Sequence, residues 1–231
     1  MVVTTLIASG GVSHDFEDST ASLAELLANS GHAVTIETDL DVVVDCLPRF
    51  DFLMFNTLRW SMTNHERFTA MRPTWGYAAG PKLKNGISDF LARGGGIYAL
   101  HASSICFDDW PEWRSILGAT WRWDVSRHDP VGPAAVTFAP EHPITRGLPD
   151  FTLVDEIYTR LDLAEDAQPL AFATQGEDPE RWPILFAREV MGGRVVYDAL
   201  GHDRRSIEQP IHAEMIQRGL CWLRGGSATE R

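Results

Sequence analysis

At 231 residues the chain is long enough for one large core, and 44% hydrophobic content with 8 Trp and 11 Phe excludes intrinsic disorder. A formal net charge of -12 excludes nucleic acid as the expected partner, because binding phosphates takes Lys and Arg. No apolar run reaches the length of a membrane span, so a membrane is not an expected partner either.

The N-terminal segment Met1–Gly11 lacks a basic n-region and is predicted to be a first core strand, Val2–Ala8, rather than a signal peptide. A polar loop, Ser9–Phe16, leads to a helix over Ser19–Ala28, with Leu23, Leu26 and Leu27 on one face and Gly31 past its end. Ala33–Thr38 is a second strand, Val42–Cys46 a short helical turn, and Phe52–Phe55 a third strand. Leu58–Pro81 is irregular and rich in Trp, Met and Gly, as in a flap or an inserted helical pair over a site. Leu83–Ala92 is a helix that leads through Gly94-Gly95-Gly96 into the strand Ile97–Leu100.

Strand–helix alternation of this kind predicts an α/β fold with a doubly wound, mostly parallel sheet. The second half is strand-rich, with strands predicted over Ala134–Phe138, Phe151–Tyr158, Pro169–Thr174, Ile184–Glu189 and Arg194–Tyr197. Val190–Gly193 is a hairpin turn between the last two. Pro210–Leu223 closes the chain as an amphipathic helix. Residues 1–226 are expected to form a single domain, with 227–231 a frayed tail. Cys46, Cys106 and Cys221 form no CxxC pair, and reduced thiols in a cytoplasmic protein are the expectation.

Two strands end in histidine: Ile97–Leu100 runs into His101, and Arg194–Leu200 into Gly201-His202-Asp203. In open α/β sheets ligands collect outside the carboxyl ends of the strands, so both histidines are aimed at a site rather than at the core. His14, in the loop after the first strand, opens on the same edge. His128 and His142 are further loop candidates, and Asp155-Glu156 could supply a carboxylate. Imidazoles with a carboxylate in a cleft suit a divalent metal with an open position, and equally suit metal-free acid/base catalysis.

Other features of the same region have plainer readings. The run Leu100-His101-Ala102-Ser103-Ser104 lacks the GxSxG nucleophile pattern, and its serines suit an N-cap for a following helix that would carry Cys106. Gly94-Gly95-Gly96 precedes a strand, so it matches no dinucleotide or phosphate loop and no nucleotide cofactor is expected. Of Trp60, Trp75, Trp110, Trp113, Trp121 and Trp123, most should pack in the core, while one or two could stack on a sugar ring.

The segments Leu100–Ser103, Trp113 with Leu117-Gly118-Ala119, His128, Glu141–Pro149, Asp155–Tyr158 and Gly193–His202 together resemble the ThuA-like (trehalose-utilisation) family. That family's fold is similar to the flavodoxin-like fold of class I glutamine amidotransferases. In those enzymes the strand corresponding to Ile97–Leu100 ends in a nucleophilic cysteine; here the position is His101, so glutamine-dependent ammonia transfer is not expected. The resemblance implies carbohydrate metabolism, on a sugar or a 3-keto-sugar, by elimination, hydrolysis or isomerisation. His101, His202 and Glu156 are then the expected catalytic residues, and His14, His128, Ser103, Trp113 and Asp203 the expected substrate contacts. His101, His202 and His14 would hold a divalent metal, zinc or manganese, if one binds. A non-catalytic sugar-binding or regulatory protein is the alternative, a hydrolase using Ser103 or Cys106 a third reading, and a homo-oligomer is compatible with either of the first two.

Overall fold

The computed structural model describes residues 2–139, 141–176 and 179–225. Among the described residues thirteen strands form in chain order. They are β1 (Val3–Gly11), β2 (His32–Glu37), β3 (Phe52–Leu58), β4 (Gly96–Leu100), β5 (Ala119–Thr120), β6 (Arg127–His128), β7 (Gly132–Phe138), β8 (Phe151–Asp155), β9 (Tyr158–Thr159), β10 (Asp162–Leu163), β11 (Pro169–Gln175), β12 (Trp182–Val190) and β13 (Gly193–Asp198). Accompanying them among the described residues are the α-helices α1 (Phe16–Asn29), α2 (Leu40–Cys46), α3 (Arg72–Trp75), α4 (Pro81–Ala92), α5 (Glu112–Leu117), α6 (Arg204–Ile207) and α7 (Pro210–Leu223).

Nine strands make one sheet in the order β2-β1-β3-β4-β13-β12-β11-β7-β8. The first five of these pair in parallel, and the remaining four extend the sheet antiparallel. The fold is therefore α/β with a mixed sheet, and the strand-rich second half is its antiparallel wing. β3 and β4 are buried along their whole length, as expected of central strands covered on both faces. β2, at the edge, has no fully buried residue.

Local chemistry explains several boundaries. β1 runs on to Gly11, beside Leu58 of β3, because a side chain at Gly11 would run into the Leu58 backbone. The β12–β13 hairpin turns on Met191 and Gly192, at φ 55° and 90°, the two positive angles that a right-twisted two-residue hairpin requires. α7 starts at Pro210, a residue suited to the first helical position, and the Gln209 side chain accepts from the His212 N–H.

Three expectations need correction. No helix follows His101: residues His101–Ser104 form one 3₁₀ turn, and the next helix begins only at Glu112. Ser103 and Ser104 accordingly cap nothing; their hydroxyls donate to the carbonyls of Phe55 (3.1 Å) and His101 (3.3 Å), and Cys106 lies in a loop. The expected strand Phe151–Tyr158 breaks after Asp155, where the Ile157 N–H turns to the Gln175 side chain (3.1 Å). The Leu58–Pro81 stretch contains a 3₁₀ turn, Glu66–Phe68, and the single helical turn α3. It packs over a small apolar cluster of Val12, Phe16, Leu58, Trp60, Met62 and Ala102, apart from the main core. The expected tail, 227–231, lies outside the described residues.

Candidate functional site

The carboxyl ends of β1, β4 and β13 converge. β4 ends at Leu100, and His101 follows at φ 39°, a left-handed backbone that costs energy for any residue but glycine. That sharp turn drops the imidazole toward the sheet edge, where it is only 2% exposed. Its Nδ1 lies 2.8 Å from the Ala199 carbonyl. A carbonyl only accepts, so Nδ1 carries the proton and Nε2 faces outward. β13 delivers His202 through Gly201, whose φ of 106° no ordinary side chain adopts comfortably. β1 delivers His14 after the glycines Gly10 and Gly11 and a Ser13 at φ 70°.

The carboxylate comes from the antiparallel wing. The break after β8 swings Glu156 out of the ladder and under the imidazoles. Its Oε2 is 3.4 Å from His101 Nε2 and 3.6 Å from His202 Nδ1, and those two nitrogens are themselves 3.4 Å apart. Its Oε1 accepts from His128 Nδ1 at 2.8 Å. One ligand atom from each of His14, His101, Glu156 and His202 lies within 4.8 Å of the others. Ligands held about 2.1 Å from a tetrahedral ion sit roughly 3.4 Å apart. The three spacings among His101, His202 and Glu156 match that edge length.

Electrostatics sharpen the picture. Burial pushes the His14 imidazole down to about 3, helped by the charges of His101 and His202. His14 is therefore neutral at ordinary pH, and its Nε2 is buried with no hydrogen-bond partner. A buried orphaned nitrogen beside two imidazoles and a carboxylate is a donor waiting for a cation. Burial opposes the charge of Glu156, but the hydrogen bonds from His101, His128 and His202 outweigh it and hold the carboxyl well below the usual range. For His202, burial is outweighed by the bond and charge of Glu156, and the imidazole rises above its ordinary value. His128 rises too, chiefly through its bond to Glu156.

Above this floor opens a cleft of about 360 Å³. His14, Glu156, His128 and His202 line its polar side. Trp60, Phe68, Trp121, Trp123 and Tyr158 form an aromatic wall. Trp123 lies against Trp60 with ring centroids 5.6 Å apart, and Tyr158 packs on the His101 ring at 4.3 Å. The irregular stretch after β3 supplies Trp60, Arg67 and Phe68, so it forms part of the cleft.

Five expected residues thus meet at one place: His14, His101, His128, Glu156 and His202. Three others do not. Trp113 is 1% exposed, donates its indole N–H to the Ser103 carbonyl (3.0 Å) and packs against Phe55, Phe107 and Trp110. Ser103 is fully buried, bonded to Phe55. Both are core residues rather than substrate contacts. Asp203 caps α6 and pairs with Arg205 (2.6 Å). His142, a further loop candidate, packs at a tilt against Trp222 instead, with ring centroids 5.4 Å apart.

Trp60, Trp121, Trp123 and Tyr158 take the wall positions that Trp113 was expected to share. One signal for Trp113 was available: with Ile116 and Leu117 it makes an i, i+3, i+4 apolar face, which is the mark of a helix turned to the core. Cys106 is buried, and burial raises its thiol to about 12, so it has no thiolate to offer at neutral pH.

The fold and site together define an α/β protein with a histidine–carboxylate cleft at the carboxyl edge of its parallel strands. The family model for trehalose utilisation, ThuA, matches residues 3–223, and the chain belongs to that family. Among solved structures it is similar to a ThuA-like protein from Parabacteroides merdae, at 16% identity and TM-score 0.79, covering 100% of this chain and 93% of that one. A cytoplasmic protein from Salmonella typhimurium LT2 is similar at 17% identity and TM-score 0.64, covering 96% and 97%. A β-galactosidase from Rahnella sp. R3 is similar at 17% identity and TM-score 0.62, over 96% of this chain but 31% of the enzyme. At such identities the likeness concerns the fold alone. Comparison with curated proteins finds no match. Among the described residues no helix is long and apolar enough to cross a membrane.

Proposed function

We propose that the chain is an enzyme of carbohydrate metabolism that acts on a sugar or 3-keto-sugar with a divalent cation, zinc or manganese, held by His14, His101, Glu156 and His202. The observation that carries this reading is the convergence of three imidazoles and one carboxylate from four separate segments, with His101, His202 and Glu156 at tetrahedral spacing and the His14 Nε2 unpartnered within 4.8 Å of them. Mixed imidazole and carboxylate donors suit borderline divalent ions rather than calcium or magnesium.

A bound ion there supplies Lewis-acid polarisation of a substrate oxygen. The chain's own residues do the rest. Trp60, Trp121 and Trp123 offer apolar faces to a pyranose ring. His128 lies outside the four-residue group, is half exposed, and projects into the same cleft on Glu156. It is the group left to move a proton at the substrate, such as the acidic C–H beside a 3-keto group before β-elimination or isomerisation. Hydrolysis by two opposed carboxylates has less support, because Glu156 is the only acidic residue lining the cleft among the described residues. Glutaminase chemistry has none, since the strand-end position is His101 and the nearby thiol of Cys106 is buried and protonated. Cys46, Cys106 and Cys221 join in no disulfide, in keeping with a cytoplasmic setting.

The test is elemental analysis of the purified, tag-free protein beside His101→Ala and His202→Ala, followed by a turnover screen on keto-sugars. Near-stoichiometric zinc or manganese that falls in both variants, with a keto-sugar consumed by the wild type alone, is the expected result. Metal without turnover of any sugar, but with sugar affinity, would replace the enzyme with a sugar-binding protein on the same cleft. No metal after incubation with either ion overturns the metal-holding reading.

A further inference from the structure

Behind the cleft lies a second polar assembly that contributes no side chain to it. Asp155 is fully buried at the end of β8, immediately before Glu156. Its Oδ1 accepts from two backbone N–H groups, those of Glu156 (2.7 Å) and of His202 (3.2 Å). Its Oδ2 accepts from the Gly201 N–H (2.9 Å) and the Ser206 hydroxyl (2.5 Å). The Asp155 carbonyl in turn receives the Gln175 amide at 3.0 Å. Four donors therefore converge on one carboxylate, and a single oxygen staples together the backbones of two cleft residues that come from opposite wings of the sheet.

The assembly continues inward. The Ser206 hydroxyl also lies 3.1 Å from His212 Nδ1, and His212 Nε2 lies 3.0 Å from Asp198, which accepts from the Tyr98 hydroxyl at 2.8 Å. Three of these groups are charged or chargeable and fully buried, Asp155, Asp198 and His212. Asp155 is thus bonded on one side to the backbone of two cleft residues and on the other, through Ser206, to the buried His212–Asp198–Tyr98 chain. A buried carboxylate that lies outside the cleft yet holds the backbones of two of its donors in register has the place of an outer support of a cation site.

We propose that Asp155 is the positioning residue of this site: it sets the spacing of Glu156 and His202 so that their side chains can share one divalent cation. This rests on the metal-holding reading given above. A carboxylate is required, because Asp155 meets only donors. An asparagine would turn an NH₂ group against N–H groups and force one of the two loops to move.

The experiment is a titration of metal-free protein with zinc, and separately with manganese, for the wild type, Asp155→Asn, Ser206→Ala and Tyr98→Phe, with the thermal midpoint of each apo protein measured alongside. Asp155→Asn is expected to bind roughly 10- to 100-fold more weakly, the range for lost supporting partners of a metal site. Ser206→Ala, which removes one of the four donors, is expected to lose less. Tyr98→Phe breaks the same network at its far end and should lower the midpoint while keeping wild-type affinity, which separates positioning from general stabilisation. A folded Asp155→Asn with wild-type affinity overturns the proposal, as does weakening in Tyr98→Phe equal to that in Asp155→Asn. If Asp155→Asn does not fold, Ser206→Ala decides, and unchanged affinity there overturns the proposal. A wild type that binds neither ion overturns the metal-holding reading and this inference with it, whereas tight wild-type binding that the Asp155 and Ser206 variants keep overturns this inference alone.

Discussion

His14, His101 and His202 leave the ends of parallel strands β1, β4 and β13, whereas Glu156 follows β8 of the antiparallel wing and His128 comes from the separate two-stranded pair β6–β9. The first group is aimed mainly by backbone, through left-handed angles at Ser13, His101 and Gly201, and only His202 also has its N–H held by the Asp155 side chain. The second group is held by side chains. Neither Glu156 nor His128 has a positive φ, and the Glu156 turn depends on Asp155 and Gln175 for its hydrogen bonds. The comparison teaches that a parallel strand end aims a residue largely by its own backbone angles, with a polar group only steadying it at His202, while the Glu156 turn takes its hydrogen bonds from side chains throughout.

The sharpest way to break the comparison is His101→Ala against Glu156→Gln. Loss of the imidazole from the strained turn is expected to cut keto-sugar turnover by roughly 10³-fold or more. Glu156→Gln keeps the shape and is expected to cost less. Circular dichroism should show both variants folded, and equal losses would argue against the distinction.

Trp113→Ala probes the core beneath β4 and should cost about 3–5 kcal/mol of unfolding free energy in urea while leaving zinc affinity in place. His212→Gln comes next, at about 3 kcal/mol, because it takes the imidazole from the buried Asp198 carboxylate and leaves it only the Tyr98 hydroxyl and the Leu200 N–H as donors. Burial opposes the charge on His212, yet Asp198, with Asp155 and the Ser206 carbonyl, raises the imidazole above its ordinary value. A raised native value means the stabilisation is fully present below about pH 6.5, the unfolded value, and fades as pH climbs through the native one. The gap between wild type and His212→Gln should therefore narrow with rising pH, and urea melts at several pH values will read it.

A smaller effect belongs to the cleft wall. Trp123→Ala should weaken sugar binding by about 1 kcal/mol, read by calorimetry, without loss of metal. Smallest of all, Met191→Asn places a residue suited to φ 55° in the β12–β13 turn and should stabilise by about 0.5 kcal/mol, with no change at the cleft.

Much of the parallel half was legible in the sequence. Gly94–Leu100 and Arg194–Leu200 are apolar runs with a histidine at the end, and strand-end placement follows from fold geometry. Pro210–Leu223 was readable to the residue, since a proline opens it and apolar spacing carries it. Ser103 and Trp113 were misplaced for a different reason. Sequence gives position along a turn but not the direction a side chain takes from it, and Ser103 points back into the sheet toward Phe55. The pairs β5–β10 and β6–β9 are two residues a side, too short for any alternation to register. Asp155 and Glu156 were visible only as an acidic pair, because the strand break that sends one inward and the other into the cleft depends on Gln175 and Ser206, which are far away in the chain.

The four clustered donors stand at positions 14, 101, 156 and 202, nearly the full breadth of the chain. No fragment carrying fewer than all four segments can close the cluster, so the site is among the last features to exist as the polypeptide organises and among the first to vanish when any wing detaches. An ion bound there would clamp the whole molecule rather than a neighbourhood, raising global stability by about 2.7 kcal/mol at a hundredfold excess over its dissociation constant. Amides in the edge strand β2 would then exchange with solvent more slowly as metal is added, although no part of β2 lies at the cleft.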